Sequence, residues 1–313
     1  VNVLVTSISK KVPLIEKVKD AATRDKSNFK VYVGDTFADC IGRYFSDAFW
    51  KMPLLENLHI QELIKYCKEH NIKVIFPSRE GELTYFSERK EYLKMNNIYV
   101  MVSELDGLNR TQDKLEFYNF LIEKKYPVIK TRLCIDEKDT GFYVVKDRFG
   151  TGSLNLHLNV TSVEAIRVAK QLRQPIFQPY IVGTEYSIDV YVDTFGKSKG
   201  AIVRERVLVV NGESQITKTI QYKELESLAM GLAEVLGLYG HVMFQIIVDS
   251  NGNPHIIECN PRFGGASTLS IEAGLDSFYW FLLEAQGESL EKYPFIRANK
   301  ELTQIRYPKD LIF

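Results

Sequence analysis

The sequence predicts an α/β protein in which an amino-terminal domain built on a parallel sheet precedes a mixed α+β region. Two observations carry this. Short apolar runs alternate with helix-period segments from residue 1 to about residue 101, which is the pattern of a parallel sheet with helical crossovers. Beyond residue 176 the apolar runs follow one another closely, and an Asn251-Gly252 pair separates two of them, a hairpin signal. The length of 313 residues, with 45% apolar and 26% charged side chains, suits two or three soluble units with a sizeable core.

The formal net charge is zero, so no global field draws the chain to nucleic acid or to a membrane. No apolar run reaches the roughly 18 residues of a membrane span, and the start, Val-Asn-Val-Leu-Val-Thr, reads as a strand and not as a signal peptide. Cys40, Cys67, Cys134 and Cys259 have no metal-like spacing and suggest reduced thiols in a cytoplasmic protein.

In chain order, residues 1–6 read as a buried strand, followed by a helix near 13–24 with Pro13 in its first turn. Val31-Tyr-Val is a second strand. Asn57 is a candidate cap for a helix with Ile60, Leu63, Ile64 and Cys67 on one face. Val74-Ile-Phe and Ile98-Tyr-Val-Met supply two more strands. Ligands of such sheets bind beyond the carboxyl ends of the strands. Ser9, Lys10, Arg79 and Glu80 are therefore candidate substrate contacts, although solvated loops carry the same residue types. The loop after the first strand lacks a dinucleotide-binding glycine fingerprint.

Asn109 to Lys114 opens the next helix, with Leu115, Tyr118 and Leu121 on one face. Phe142-Tyr-Val-Val-Lys146 reads as a buried strand that runs into Gly150-Thr151-Gly152-Ser153. Glycines let backbone N–H groups approach phosphate, and a lysine beside them is a compact charge for it; a plain hairpin turn has the same composition. Thr161 or Ser162 caps a helix to about residue 172. Strands follow near 185–193 and 199–210, the second with Arg204 and Arg206 on one face. That pair suits a substrate carboxylate or an acyl phosphate, and a salt-bridged solvent face would look the same. Residues 222–237 form an amphipathic helix, and two helical segments lie near 267–286. In the hairpin, a turn centred on Asn251-Gly252 sets Ser250 opposite Asn253 and Gln245 opposite Glu258. Glu258 and Asn260 then share a face with Gln245, and Arg262 lies just beyond. Three oxygen-bearing side chains and a guanidinium suit magnesium on nucleotide phosphates, while an exposed polar sheet face remains the alternative.

Glu258-Cys-Asn260-Pro-Arg262-Phe-Gly-Gly resembles the carboxy-terminal signature of the ATP-grasp superfamily, nearest to single-module relatives of the carbamoyl-phosphate synthase large subunit. Upstream, Asp113-Lys114, Lys146 with its glycine loop, Gln178-Pro179-Tyr180-Ile181 and Glu185 occur in the order that this resemblance requires. It implies an amino-terminal domain (1–105), a small ATP-grasp subdomain (106–177) and a large one (178–313). It further implies that Lys114 and Lys146 meet ATP, and that Gly150, Thr151, Gly152 and Ser153 cover its phosphates. Pro179 and Ile181 would pair with adenine through their backbones, beside Tyr180. Gln178 would reach the adenine amino group and Glu185 the ribose. Gln245, Glu258 and Asn260 would bind magnesium, with manganese as a substitute, and Asn260, Arg262, Arg204 and Arg206 would act on the reacting groups. Gln245 stands where many relatives carry a carboxylate. The activity implied is an ATP-dependent carboxylate–amine ligase that works through an acylphosphate on small-molecule acids and amines, without nucleic acid or membrane. A small-molecule kinase, carboxyl phosphorylation of the carbamoyl-phosphate synthase type and a non-catalytic ATP-binding module are the alternatives. Relatives are often dimers, so a homodimer is open to this chain.

Overall fold

The computed structural model describes residues 2–24, 29–150 and 155–312. Its first third is a parallel sheet. The elements run β1 (Asn2–Thr6), α1 (Val12–Arg24), β2 (Val31–Asp35), β3 (Ala48–Lys51), α2 (Ile60–Glu69), β4 (Ile72–Pro77), α3 (Glu80–Met95) and β5 (Tyr99–Val100). The strand order is β3-β2-β1-β4-β5, with Val3 beside Val31 and Val5 beside Phe76. Val3, Leu4 and Val5 are fully buried, as expected of a central strand covered on both faces. The order reverses between β1 and β4, so the loops after these two strands frame a crevice.

Two helices follow, α4 (Leu105–Gln112) and α5 (Lys114–Glu123), then β6 (Phe142–Asp147), β7 (His157–Thr161), α6 (Ser162–Ala169) and β8 (Pro175–Pro179). The three strands form a small antiparallel sheet in the order β7-β6-β8. Thr161 and Glu164 cap α6 reciprocally.

The remainder builds a six-stranded antiparallel sheet, ordered β13-β12-β9-β10-β11-β14. Its elements are β9 (Gly183–Val192), β10 (Ser198–Val210), β11 (Glu213–Ile220), α7 (Lys223–Val235), β12 (Gly240–Asp249), β13 (Pro254–Asn260), α8 (Ser267–Glu272), α9 (Ser277–Ala285) and β14 (Thr303–Ile305). Leu225, Ala229, Leu232 and Ala233 of α7 are buried against β9 and β10. On the other side, Phe278 and Phe281 of α9 meet Phe76 of β4, and Trp280 meets Tyr191 of β9. One apolar cluster thus ties the parallel sheet to the large antiparallel one.

Several expectations are corrected. Asn57 caps nothing; it closes a short 3-10 turn, and His59 stands at the start of α2. β3 is an additional strand on the sheet edge, and the fourth expected strand shrinks to Tyr99–Val100. The helix expected from Asn109 is two helices broken at Asp113, and the buried face of the second is Phe117 and Leu121. The β6 strand is only half-buried. β11 and β14 extend the large sheet beyond the expected strands.

The Asn251-Gly252 turn also differs. Val248 pairs with Pro254, and the loop is held by Asp249, whose Oδ1 accepts from the N–H groups of Asn251 and Asn253. Ser250 therefore does not face Asn253. A bulge between Gln245 and Ile246 then shifts the register back by one, so Gln245 does lie opposite Glu258. Asn211-Gly212, between β10 and β11, is the two-residue turn with both φ positive (51° and 76°).

Candidate active site

A cleft of about 2660 Å³ opens where the three sheets meet. Loops after β1 and β4 line one side, the small sheet and the 178–181 segment another, and the polar face of β9, β10, β12 and β13 the floor. Of the residues singled out from the sequence, Ser9, Lys10, Arg79, Glu80, Lys114, Lys146, Gly150, Gln178, Pro179, Tyr180, Ile181, Glu185, Arg204, Arg206, Gln245, Glu258, Asn260 and Arg262 all border it. Thr151, Gly152 and Ser153 lie outside the described residues.

At the phosphate-side wall, Asp113 ends α4 and caps α5 by accepting from the N–H groups of Leu115 and Glu116. This sets Lys114 at the first helical position. Arg148, just past β6, grips the same carboxylate with two guanidinium nitrogens, Nε at 2.6 Å. Burial alone would raise the Asp113 pKa, but Arg148 and the two cap hydrogen bonds hold it below the ordinary value. The helix that carries Lys114 is thereby fastened to the strand that carries Lys146. The Lys114 ammonium donates to the Gly150 carbonyl oxygen at 2.9 Å. The half-buried Lys146 has its pKa pulled down to about 8, chiefly by loss of water and further by Lys114, with Glu258 and Glu185 opposing. A polyphosphate would relieve that strain.

At the 178–181 segment, Gln178 is buried and donates to Thr131 Oγ1 at 2.9 Å. The Tyr180 N–H is spent on the Phe142 carbonyl oxygen. On the floor, polar groups run in a chain. Glu185 pairs with Arg206 at 3.2 Å; burial raises the Glu185 pKa, and Arg206 offsets part of that rise. With its amide oriented to satisfy both neighbours, Gln245 accepts from Arg206 Nη1 (2.9 Å) and donates to Glu258 Oε1 (3.3 Å). Asn260 also donates to Glu258 Oε1, at 3.2 Å, and its own oxygen receives Arg262 Nη2 at 3.3 Å. Burial would raise the Glu258 pKa, yet Lys146, Lys114, Asn260 and Arg206 together bring it below normal. It is an ionised carboxylate among cations.

The donor set fits magnesium only in part. Glu258 offers an anionic oxygen and Asn260 an amide oxygen, and a magnesium ion usually takes one or two carboxylates and leaves the rest to phosphate and water. In this arrangement Gln245 and Asn260 alike turn a nitrogen toward Glu258 and give an oxygen to an arginine, Arg206 and Arg262 respectively, so each amide would have to exchange that arginine contact to serve as a ligand. Among the described residues no three His, Cys, Asp or Glu side chains gather as a metal cage.

Other contacts were not evident from the sequence. Arg204 is buried beneath the floor, its Nε bound to Asp189 at 2.7 Å and to Ser270 Oγ at 3.0 Å. Asp189 also accepts from Ser267 and lies 3.0 Å from His241 Nε2. Burial would raise the Asp189 pKa, but Arg204 and His241 drive it far down. Lys11 spends its ammonium on Ser78 O, Ser78 Oγ and Ser7 O, which ties the two crevice loops together. Glu80 reaches across to Arg262. Arg306, beyond β14, borders the far end of the cleft beside Glu213. Apart from the bond from Lys11 to Ser7, these contacts join residues well separated in the chain, and no local pattern announces them.

Comparisons with known proteins agree with this architecture. Residues 171–308 match the family described as ATP-grasp in the biosynthetic pathway with Ter operon, and residues 3–101 match the PylC-like N-terminal domain. The ATP-grasp match thus falls on the carboxy-terminal part of the chain and the PylC-like match on the parallel-sheet part, each over less than half of the chain. No curated protein matches it at a significant level. Among solved structures, the chain resembles the biotin carboxylase–β,γ-ATP complex from Campylobacter jejuni (TM-score 0.74, 17% identity, 96% of this chain and 74% of that one). It is also similar to the biotin carboxylase domain of Hydrogenobacter thermophilus 2-oxoglutarate carboxylase with MgADP and bicarbonate (TM-score 0.75, 16%, 96% and 73%). N5-carboxyaminoimidazole synthetase from Staphylococcus aureus follows (TM-score 0.68, 16%, 92% and 77%). At these identities the likeness establishes the ATP-grasp fold. Among the described residues no helix is long and apolar enough to cross a membrane.

Proposed function

We propose that this ATP-grasp protein is an ATP-dependent carboxylate–amine ligase for small molecules. The observation that carries the reading is Glu258: an ionised carboxylate on the cleft floor, kept so by Lys146 and Lys114 and flanked by Asn260 and Arg262. Cations in this number around one carboxylate suit a ligand that brings several negative charges and a metal ion.

In this reading the chain works as the three units 1–105, 106–177 and 178–313. Gln178 to Ile181 seat the adenine and Glu185 the ribose. Lys114 and Lys146 hold the phosphates beside Gly150. Glu258 and Asn260 would hold magnesium, which would supply charge neutralisation for the phosphates. The acid lies near Arg206, with Arg204, held in its ion pair with Asp189, supporting the floor from below, and Arg262 braces the phosphoryl group in transit. The substrate carboxylate attacks the γ-phosphorus, the bond to the bridging oxygen breaks, and ADP leaves. An amine then adds to the acyl carbon of the acylphosphate, loses a proton and expels phosphate, and an amide results. The chain contributes positioning and charge neutralisation and needs no covalent intermediate of its own. A biosynthetic setting, as in the description of the matched family, suits such a reaction.

The test is ADP release with Mg-ATP against amino acids, dipeptides, sugar acids and bicarbonate, each with and without an amine donor. Turnover that requires one acid and one amine, and is lost in folded Glu258→Ala, is expected. Retained turnover in that variant removes the assignment.

A further inference from the structure

Glu80 and Arg262 are 182 residues apart, and yet Glu80 Oε2 accepts from Arg262 Nε at 3.0 Å. Both side chains are largely withdrawn from solvent, at 17% and 18% exposure. The other anchors of this guanidinium are local. Nη1 donates to the Phe263 carbonyl oxygen at 2.9 Å and Nη2 to Asn260 Oδ1 at 3.3 Å. Both belong to the same hairpin end as Arg262 and follow it wherever it moves. Among the described residues, only Glu80 brings this guanidinium a full charge, and it comes from the start of α3, behind the parallel sheet.

Glu80 itself stands on a fixed platform. Glu82 Oε1 accepts from the N–H groups of Ser78 (2.6 Å) and Arg79 (2.9 Å), and Oε2 accepts from Ser7 Oγ (2.8 Å). Lys11 binds Ser78 O and Oγ at 2.6 and 2.9 Å. These groups satisfy one another inside the β1/β4 crevice, and Glu80, at the start of α3, is the member that reaches the cleft floor.

We propose that Glu80 is a positioning residue for Arg262: it fixes the plane of the guanidinium toward the phosphoryl site and ties that site to the amino-terminal crevice. The proposal rests on the proposed function, which assigns Arg262 to the phosphoryl group. A hydrogen bond to a charged group is worth roughly tenfold in an equilibrium constant, and the loss should fall on the γ-phosphate alone.

The experiment is calorimetric binding of Mg-ADP and of a non-hydrolysable imido analogue of Mg-ATP to the intact chain. The wild type is expected to favour the analogue by about tenfold or more. Glu80→Ala should reduce that preference to about threefold or less with Mg-ADP affinity within about twofold of wild type. Glu80→Gln, which keeps the shape and a neutral acceptor, should fall between and serves if the alanine variant does not fold. Glu80→Ala combined with Arg262→Lys should cost no more than Arg262→Lys alone, since residues that act through one contact are not additive. An unchanged preference in the Glu80 variants, an equal loss for ADP and the analogue, or additive losses in the double variant would each overturn the proposal. A wild type that binds Mg-ADP without preferring the analogue overturns it through Arg262. A wild type that binds neither nucleotide instead removes the proposed function beneath it.

Discussion

Lys146 gives the sharpest quantitative test of the nucleotide site. Its pKa in the free protein is pulled down to about 8 by burial and by Lys114. A bound polyphosphate supplies several negative charges beside the ammonium and returns its pKa to the ordinary lysine range near 10.4 or above. The complex then binds more protons than the free protein once the pH passes 8, so affinity must fall as pH rises. At pH 9 only about a tenth of the free Lys146 is protonated, and the affinity for Mg-ATP should be about tenfold lower than at pH 7, or about 1.4 kcal/mol. The phosphates titrate near pH 6 and add nothing in this window. The assay is calorimetric titration of the imido analogue between pH 7 and 9.5 in buffers of different ionisation enthalpy, which also counts the proton taken up. Lys146→Met should bind more weakly at pH 7 and lose the slope. A flat profile in the wild type, or a slope that survives in Lys146→Met, would refute the placement of Lys146 at the phosphates.

Three further outcomes follow from the geometry. Asp113→Asn weakens the cap of α5 and its charged bond to Arg148, and should lower stability by about 1–3 kcal/mol in urea unfolding. The Asp113 pKa is depressed in the fold, so its contribution is present above the unfolded value near 3.9 and is lost as pH falls through the folded one; the gap between wild type and variant should close toward pH 2. Gly183→Ala would set a Cβ 2.2 Å from the Val248 carbonyl oxygen, and this backbone clash at the start of β9 should cost about 1–3 kcal/mol, seen as a lower thermal midpoint. Glu258→Ala should leave the circular dichroism spectrum intact while ADP release drops by at least about a hundredfold, because the lysines then lack both the counter-charge and the metal ligand.

Alternation and turn chemistry made the parallel sheet and the floor hairpin legible, although the pairing of Gln245 with Glu258 came out right through two offsetting errors. The longer Asp249–Asn253 loop moves the register one way, and the bulge beside Gln245 moves it back. The bulge has no signature in Ile256-Ile257, since the extra residue, Ile257, repeats the one before it. The true two-residue turn, Asn211-Gly212, carried the same Asn-Gly signal as the misread one. Given weight, it would have exposed β11, whose Ser214, Thr217 and Thr219 point inward as polar groups and mask the usual apolar alternation.

Residues that border the cleft were legible because each sits in a local pattern, a lysine after a cap or an acid two residues before an asparagine. Their electrostatic partners were not. Arg204 and Arg206 share a strand, but one is neutralised from below by Asp189 and the other from the side by Glu185, and Arg262 is held by Glu80 from another sheet. These three arginines at the cleft are thus pre-oriented by carboxylates from other elements. Pairing lowers the net charge of the empty cleft while it fixes the donors in place, so less ordering remains to be done when an anionic substrate arrives. A substitution in the carboxylate should therefore disturb orientation before it disturbs charge, and that separates positioning by these pairs from a merely basic cleft.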